Sequence, residues 1–586
     1  MESKASFKIK SPTGNRRAFV FMKREAVFGW TMLCAALGLF AILSLMRFHQ
    51  PVAQDDLHWL VAAKTLHTDG VARQYAVPER VAGFSPHLYL GCIALMFKLF
   101  GVDESIARLP GLAFGLLSIL MVFGLTRHFS KGSEIERTLR ASTISLLCAS
   151  SPALAQGSVI IDIDNTLLVP SLLLLCGAFA KYLQEERMRW AVLAALSVSV
   201  ALWGRVTTPA LVCCALCGAV LLSRKPLRTK LTCVGLVLAG ALLFVTTWYG
   251  YCRATGTPFA EPFRYTWRTA RRGIGPSLGA VLENVVYLTL WIGLFPLLLI
   301  LKSVIERGRR FFKAPELRVE DVFLLGGGIP LLGYTLMAQP LFGYPKYQIP
   351  EIPLLFIFMG LALPAFEAAF ADLRPSFAVV LAALFVQVLT AGDPLYLLRY
   401  SLREAQAFMT PSAGEVLKTV AIRAGLFAAA SFLLFKACSR FSAFRSRIGL
   451  LILFSVGSTL GLSLLQSAAG YHTGYNYGGR GTLEVARYVR ERVPTEGVVL
   501  APSEVIYYLA LPNSRHLPND LWSDVGALQQ RLTDPRTSGF VYSIATHSVL
   551  QVRTISGSQS VQDILRRQFD HTKIGSYEVW VRKTPL

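Results

Sequence analysis

Two short acidic segments interrupt otherwise apolar sequence. Gln54-Asp55-Asp56-Leu57-His58 follows the apolar run 27–46, and Gly157-Ser158-Val159-Ile160-Ile161-Asp162-Ile163-Asp164-Asn165-Thr166 lies between the apolar runs 141–157 and 163–180. Carboxylates this close to hydrocarbon are costly, and those that persist usually serve a function. An aspartate bordering a membrane-lined cavity can act as a general base toward a hydroxyl when its surroundings tune its proton affinity. Helix capping is the plainer reading of Asp55 and Asp56, because Asp is a favoured N-cap. Asp162-Ile163-Asp164 also matches the D-x-D of metal-dependent nucleotide-sugar transferases. Three residues recur by chance, however, and here they cap a membrane helix instead of following a strand.

A second set of residues is cationic. Arg80, Arg205, Arg253, Arg264, Arg268, Arg271, Arg272 and Lys346 fall on the same side of the membrane as the acidic segments, beside Tyr265, Trp267, Tyr344 and Tyr347. Snorkelling cations and an aromatic belt account for any one of them singly. Taken together with the carboxylates they describe an anion site, since an Arg fork matches phosphate oxygens and Lys supplies a point charge.

The elements that must position these groups follow from composition. Of 586 residues, 53% are hydrophobic and only 16% charged, with a mean hydropathy of +0.47. A soluble domain carries about 25% charged residues, so most soluble enzymes and a disordered chain are excluded. The expected class is a polytopic α-helical membrane protein. Apolar runs near 27–46, 105–126, 141–157, 163–180, 190–204, 206–223, 231–250, 281–301, 321–338, 349–368, 376–391, 419–435 and 448–466 predict about 13 transmembrane helices.

The piece from His87 to Phe100 is apolar but too short to cross a core of ~30 Å at ~1.5 Å per residue. If it does not span, the basic clusters Arg127–Arg140, Lys181–Arg189, Arg224–Lys230, Lys302–Lys313 and Lys436–Arg447 all fall in the cytoplasm, as the positive-inside rule requires. The net charge of +23 then divides into cytoplasmic anchors and a smaller set on the opposite surface. No nucleic-acid partner is needed to explain it.

The predicted organisation is a basic cytoplasmic tail (1–26), a membrane domain (27–468) whose outer loop 47–104 carries interfacial helices, and an extracytoplasmic mixed α/β domain (469–586). In the last, periodicity predicts helices over 482–492, 505–510 and 561–569 and strands over 497–500 and 577–581. The first apolar run is too long for a typical signal-peptide core and lacks a good cleavage site, so it is expected to be retained. The ten cysteines sit nearly all within apolar runs and none lies beyond Cys438. The CxxC spacing of Cys214 and Cys217 has no second pair or His to complete a metal site.

A family resemblance attaches to particular residues. Asp55-Asp56-x-His58, Phe84-Ser85-Pro86-His87-Leu88-Tyr89-Leu90, Phe97-Lys98-Leu99-Phe100-Gly101 and Ala107-Arg108-Leu109-Pro110 resemble the first outer loop of the membrane glycosyltransferases of GT-C fold that use polyprenyl-phosphate sugars. That group includes protein O-mannosyltransferases and the aminoarabinose transferase of lipid A. Asp164-Asn165-Thr166-Leu167-Leu168 resembles the family's second acidic motif, and Lys346-Tyr347-Gln348-Ile349-Pro350-Glu351-Ile352-Pro353 its R/K-Y-x-x-P-x-x-P segment. The departures are Asp56 in place of Glu, Pro86-His87 in place of Pro-Pro, and Arg80 in place of a phosphate-binding Lys.

The resemblance implies inverting transfer of a sugar from a polyprenyl-phosphate donor to a hydroxyl on a lipid A, glycolipid, polysaccharide or protein acceptor. It implies Asp55 as base, with Asp56, Asp162 and Asp164 as the other acidic site residues. Arg80, Arg205, Lys346, Tyr347 and Arg268 would hold the donor phosphate, and His58, His87, Tyr89 and Tyr265 would line the acceptor side or its loops. No cofactor is implied with certainty, and use of a divalent metal stays open. The expected location is the bacterial inner membrane, with the N-terminus cytoplasmic and the C-terminal domain periplasmic. The rival class is a multi-pass lipid or sugar transporter, but transporters show internal repeats and charge at the membrane midplane. Here the charges gather at one surface.

Overall fold

The computed structural model describes residues 13–161 (apart from 47, 50, 53, 76–79 and 84), 167–264, 292–336 (apart from 314–315), 347–363, 447–469, 481–543 (apart from 511–514 and 517–523) and 557–583 (apart from 576), with isolated positions 267, 288, 429, 432–434, 436–437 and 555. Its larger part is a helical bundle. Helix α1 (Thr13–Leu45) is followed by two shorter helices, α2 (Gln54–Asp69) and α3 (Leu88–Phe100), then by α4 (Glu104–Phe129), α5 (Glu134–Ser150), α6 (Pro152–Gly157), α7 (Leu168–Glu185), α8 (Met188–Gly204), α9 (Thr207–Leu222) and α10 (Leu227–Thr255). The bundle continues with α11 (Leu294–Lys313), α12 (Val319–Leu336), α13 (Glu351–Ala362) and α14 (Arg447–Ala469).

Among the described residues, α4, α10 and α12 are long and apolar enough to cross a bilayer, and six shorter apolar helices accompany them. The expected count of about 13 spans is not established by these three; the run 376–391 and parts of 163–180, 281–301, 349–368 and 419–435 lie outside the described residues. Helix α3 has 13 residues, about 20 Å of rise, and so falls short of the hydrocarbon thickness as its sequence predicts.

Local sequence sets the helix starts. Asp103 caps α4 by accepting from Ser105 N at 2.7 Å, and Ser133 with Glu136 forms a capping box on α5. Close packing follows from small residues: a Cβ at Gly240 of α10 would lie 2.4 Å from the carbonyl oxygen of Ala195 in α8. The basic cluster 302–313 is more than a topology marker. Arg307 is buried and donates to Asp321 from Nε at 2.7 Å and from Nη2 at 2.5 Å, tying α11 to α12. Removing one partner of such a pair typically costs about 3–5 kcal/mol.

After α14 the chain forms a mixed unit from α15 (Thr482–Arg492), β1 (Val498–Ala501), α16 (Ser503–Leu509), β2 (Arg515–His516), α17 (Val525–Thr533), β3 (Thr537–Ser543), α18 (Gln559–Gln568), β4 (Phe569–Ile574) and β5 (Tyr577–Arg582). The sheet order is β2-β1-β3-β5-β4, with β1 parallel to both neighbours and β5 antiparallel to β3 and β4. The five elements predicted from sequence fall at α15, β1, α16, α18 and β5.

Within this unit Glu504 is buried in the first turn of α16. It accepts from the Tyr577 hydroxyl at 3.3 Å, and burial pushes its carboxyl up to about 7 from its ordinary 4.5. The native state thus holds more protons than the unfolded state between those values. Stability is fully present at the acid end, falls as pH rises through that window, and levels off above it. The expected loss is about 3 kcal/mol. It should be read as hydrogen-exchange protection of β1 and α16 in the full chain, corrected for intrinsic exchange. Glu504→Gln should flatten the profile, and a wild-type profile rising with pH would refute the assignment.

Candidate functional site

Of the predicted site residues that the structure describes, Asp55, Asp56 and His58 lie on α2, Arg80 and His87 in the loop before α3, Tyr89 on α3, Arg205 between α8 and α9, and Tyr347 just before α13. Asp55 and Asp56 lie in the first turn of α2, where carboxylates complement the helix dipole. Asp56 is 3% exposed, and Leu57 beside it belongs to a buried cluster with Ala82, Tyr89, Leu90, Ala107, Ile161 and Leu167. Ile161 and Leu167 bracket the segment 162–166. The chain on either side of the second acidic motif is therefore packed against the start of α2 and the loop before α3. Asp162 and Asp164 themselves lie outside the described residues, as do Tyr265, Arg268 and Lys346.

The loop 80–87 closes one side. Ser85 Oγ donates to the Gly204 carbonyl at 3.1 Å, and a Cβ at Gly204 would sit 3.8 Å from Leu167 and Leu168. Gly204 is the last residue of α8, so this contact fixes the backbone from which Arg205 projects. Gly83 lets Glu261 approach, since a Cβ there would meet the Glu261 side chain at 2.7 Å.

Arg205 stands at the junction of α8 and α9 and is half-buried. Its guanidinium lies 4.2 Å above the Tyr347 ring, and its Nε donates to Thr207 Oγ1 at 2.8 Å. Tyr347 stacks on Tyr334 with ring centroids 5.7 Å apart and planes 21° from parallel. The Tyr334 hydroxyl lies 3.1 Å from Thr207 Oγ1 and 2.7 Å from Thr208 Oγ1. The contacts close a ring: Arg205 to Tyr347, Tyr347 to Tyr334, Tyr334 to Thr207, Thr207 back to Arg205. An arginine held on its flat side by an aromatic face and at Nε by a hydroxyl has its orientation fixed. Behind it, Gln348 and Glu351 are fully buried, and none of their four side-chain polar atoms has a hydrogen-bond partner among the described residues.

Other predicted residues take different parts. His87 is buried, with Nε2 2.6 Å from the Ala82 carbonyl and Nδ1 2.9 Å from the Tyr251 hydroxyl. A carbonyl only accepts, so Nε2 carries the proton and Nδ1 accepts from Tyr251. Burial pushes the imidazole down to about 4, against the Ala82 bond, and it stays neutral. Both nitrogens being engaged, His87 braces the loop against α10. Tyr89 is likewise packed inside, against Phe114, too deep to touch an acceptor in this structure. Arg80 is exposed on a short ladder in which Gln74 N donates to its carbonyl at 2.9 Å. His58 is half-buried and meets the Tyr75 ring edge-on at 6.2 Å. Among the described residues no three His, Cys, Asp or Glu side chains gather as a metal site.

Sequence reasoning missed Thr207, Thr208 and Tyr334, because they lie within apolar runs, and it quoted Gln348 and Glu351 only as spacing. It also missed Tyr508 of α16. The Tyr508 hydroxyl accepts from Val52 N at 2.7 Å and donates to Glu104 at 2.8 Å, joining the mixed unit to the chain just before Asp55. Tyr508→Phe strands the Val52 N–H, at a fully buried residue, and should cost about 1–3 kcal/mol. A thermal melt of the variant matching wild type would contradict this.

Residues 85–249 match the family described as dolichyl-phosphate-mannose-protein mannosyltransferase. That segment includes the loop 85–87, the second acidic motif and Arg205. No curated protein matches the chain by sequence. The crystal structure of ArnT from Cupriavidus metallidurans bound to undecaprenyl phosphate is 14% identical with a TM-score of 0.58, covering 95% of this chain and 99% of that one. The same protein in the apo state is 15% identical with a TM-score of 0.56, over 96% and 100%. The likeness at this identity is one of fold. The chain thus carries the GT-C fold of membrane glycosyltransferases, and the mannosyltransferase pattern covers the segment that frames its candidate site.

Proposed function

We propose that the protein is an inverting glycosyltransferase that moves a sugar from a polyprenyl-phosphate donor to an acceptor hydroxyl at the extracytoplasmic surface of the bacterial inner membrane. The observation that carries this reading is the oriented Arg205, held by Tyr347 and Thr207, at the end of the bundle where the acidic α2 begins. Asp55 takes the proton from the acceptor hydroxyl as its oxygen attacks the anomeric carbon. The bond from that carbon to the lipid phosphate breaks on the opposite side, inverting the centre. A phosphate leaves as a stable anion, so no protonating carboxylic acid is needed, in contrast to glycoside hydrolysis.

Arg205 holds the developing charge in the manner of a preorganised oxyanion site, assisted by Lys346, Arg268 and Arg80. Asp162 and Asp164 orient the acceptor or the basic groups, with Asp56 and His58 beside the base. The undecaprenyl phosphate in the Cupriavidus metallidurans ArnT structure supports the choice of donor. The decisive experiment supplies purified protein in proteoliposomes with undecaprenyl-phosphate sugar and an envelope acceptor extract. A new glycosidic bond of inverted configuration, with release of undecaprenyl phosphate, is expected. Movement of the lipid between leaflets with no new bond would make the protein a transporter.

A further inference from the structure

On the other side of α2 lies a cavity of about 610 Å³, within the ~300–1,000 Å³ range of small-ligand pockets. Helix α2 contributes Leu60, Val61, Lys64 and Thr65 to it. At ~100° per residue these positions centre about 200° round the helix from position 55. Position 55 thus faces away from the cavity, while His58 meets Tyr75 of its lining, and the start of α4 and Tyr507 of α16 form its other walls.

Its lining carries both signs of charge. Lys64 is exposed there and has no partner among the described residues. Arg108 is 3% exposed, donates from Nη1 to the Phe48 carbonyl, and keeps an Nε with no hydrogen-bond partner among the described residues. A buried donor left in this state is costly unless something in the cavity accepts from it. Two carboxylates line the same space. Asp103 uses Oδ1 to cap α4, and Glu104 uses Oε2 to accept from Tyr508; each has a second oxygen beyond those bonds. The ring of Tyr507 supplies an apolar wall.

We infer that this cavity binds a zwitterionic headgroup, a phosphate ester joined through a few atoms to an ammonium. Arg108 and Glu104 already attract one another; beyond that pair, a plain anion would leave Asp103 opposed to it and a plain cation would leave Lys64 unmatched. A phosphate on the Lys64 and Arg108 donors with an ammonium at the carboxylates satisfies both sets. The same chemistry occurs in a phosphoethanolamine lipid of the bilayer and in an amino-sugar phosphate of a glycolipid. The inference does not depend on the transferase reading.

The test titrates purified full-length protein in maltoside micelles with phosphoethanolamine, glucosamine 1-phosphate, inorganic phosphate and ethanolamine by calorimetry. A parallel arm reads, by native mass spectrometry, retention of phosphatidylethanolamine against phosphatidylglycerol of the same chains. One of the zwitterionic probes should bind at least about tenfold more tightly than inorganic phosphate or ethanolamine alone, and Lys64→Ala and Tyr507→Ala should each weaken it by about that factor. Binding of the soluble amino-sugar phosphate assigns the glycolipid source. Retention of phosphatidylethanolamine that is lost in Lys64→Ala assigns the bilayer source. The inference is overturned if no zwitterionic probe or lipid is preferred, or if both variants bind as wild type. Asp55→Asn should bind the probes normally, so loss of transfer and loss of headgroup binding are separable results.

Discussion

Arg205→Ala is expected to lower kcat by about 10²–10³-fold while leaving the fold intact, since Arg205 is half-buried at a helix junction. The reason is geometric. Its guanidinium is held flat on Tyr347 at 4.2 Å and bonded at Nε to Thr207, so its orientation is set before a phosphate arrives and binding one costs little further freedom. Arg205→Lys keeps the charge but has neither a planar face for Tyr347 nor an Nε for Thr207, so it should recover only part of the rate. Tyr347→Phe preserves the ring and should act mildly, whereas Tyr347→Leu should approach Arg205→Ala. The measurement is transfer from an undecaprenyl-phosphate sugar, with kcat read apart from the affinity for the donor. Wild-type kcat in Arg205→Ala would remove the residue from the chemistry.

What could be read from sequence, and what could not, follows one physical distinction. Charge beside hydrocarbon is costly whatever the fold, so Asp55, Asp56, Arg205 and the motif around Tyr347 stand out in a linear chain. Burial and partnership depend on what packs against what. Thr207, Thr208 and Tyr334 look like ordinary members of apolar runs until the Tyr334 hydroxyl is seen to close on both threonines. His87 read as a loop or acceptor contact, yet two hydrogen bonds turn it into a brace between Ala82 and Tyr251. Arg307 read as one cytoplasmic anchor among several, and it proves to be a buried partner of Asp321. In the C-terminal unit the final strand was legible over 577–581, and it forms as Tyr577–Arg582. The two-residue β2 and the largely exposed β4 carry too little pattern to be seen without their neighbours.

The adjacent carboxylates of α2 allow the base to be tested against its own neighbour. Asp55→Asn is nearly isosteric and removes the capacity to take a proton together with one negative charge at the start of α2; kcat should fall by about 10²–10⁴-fold with donor affinity little changed. Asp56 sits ~100° further round the helix and is almost fully buried, so Asp56→Asn should be read mainly in stability. A purified Asp55→Asn protein that transferred sugar at the original rate would sink the base assignment. Loss in Asp56→Asn alone, with normal melting, would move the role by one residue. Asp55→Glu keeps a carboxylate on a longer arm and should retain measurable transfer, because the acceptor oxygen must lie within hydrogen-bond reach of the base, about 2.6–3.2 Å.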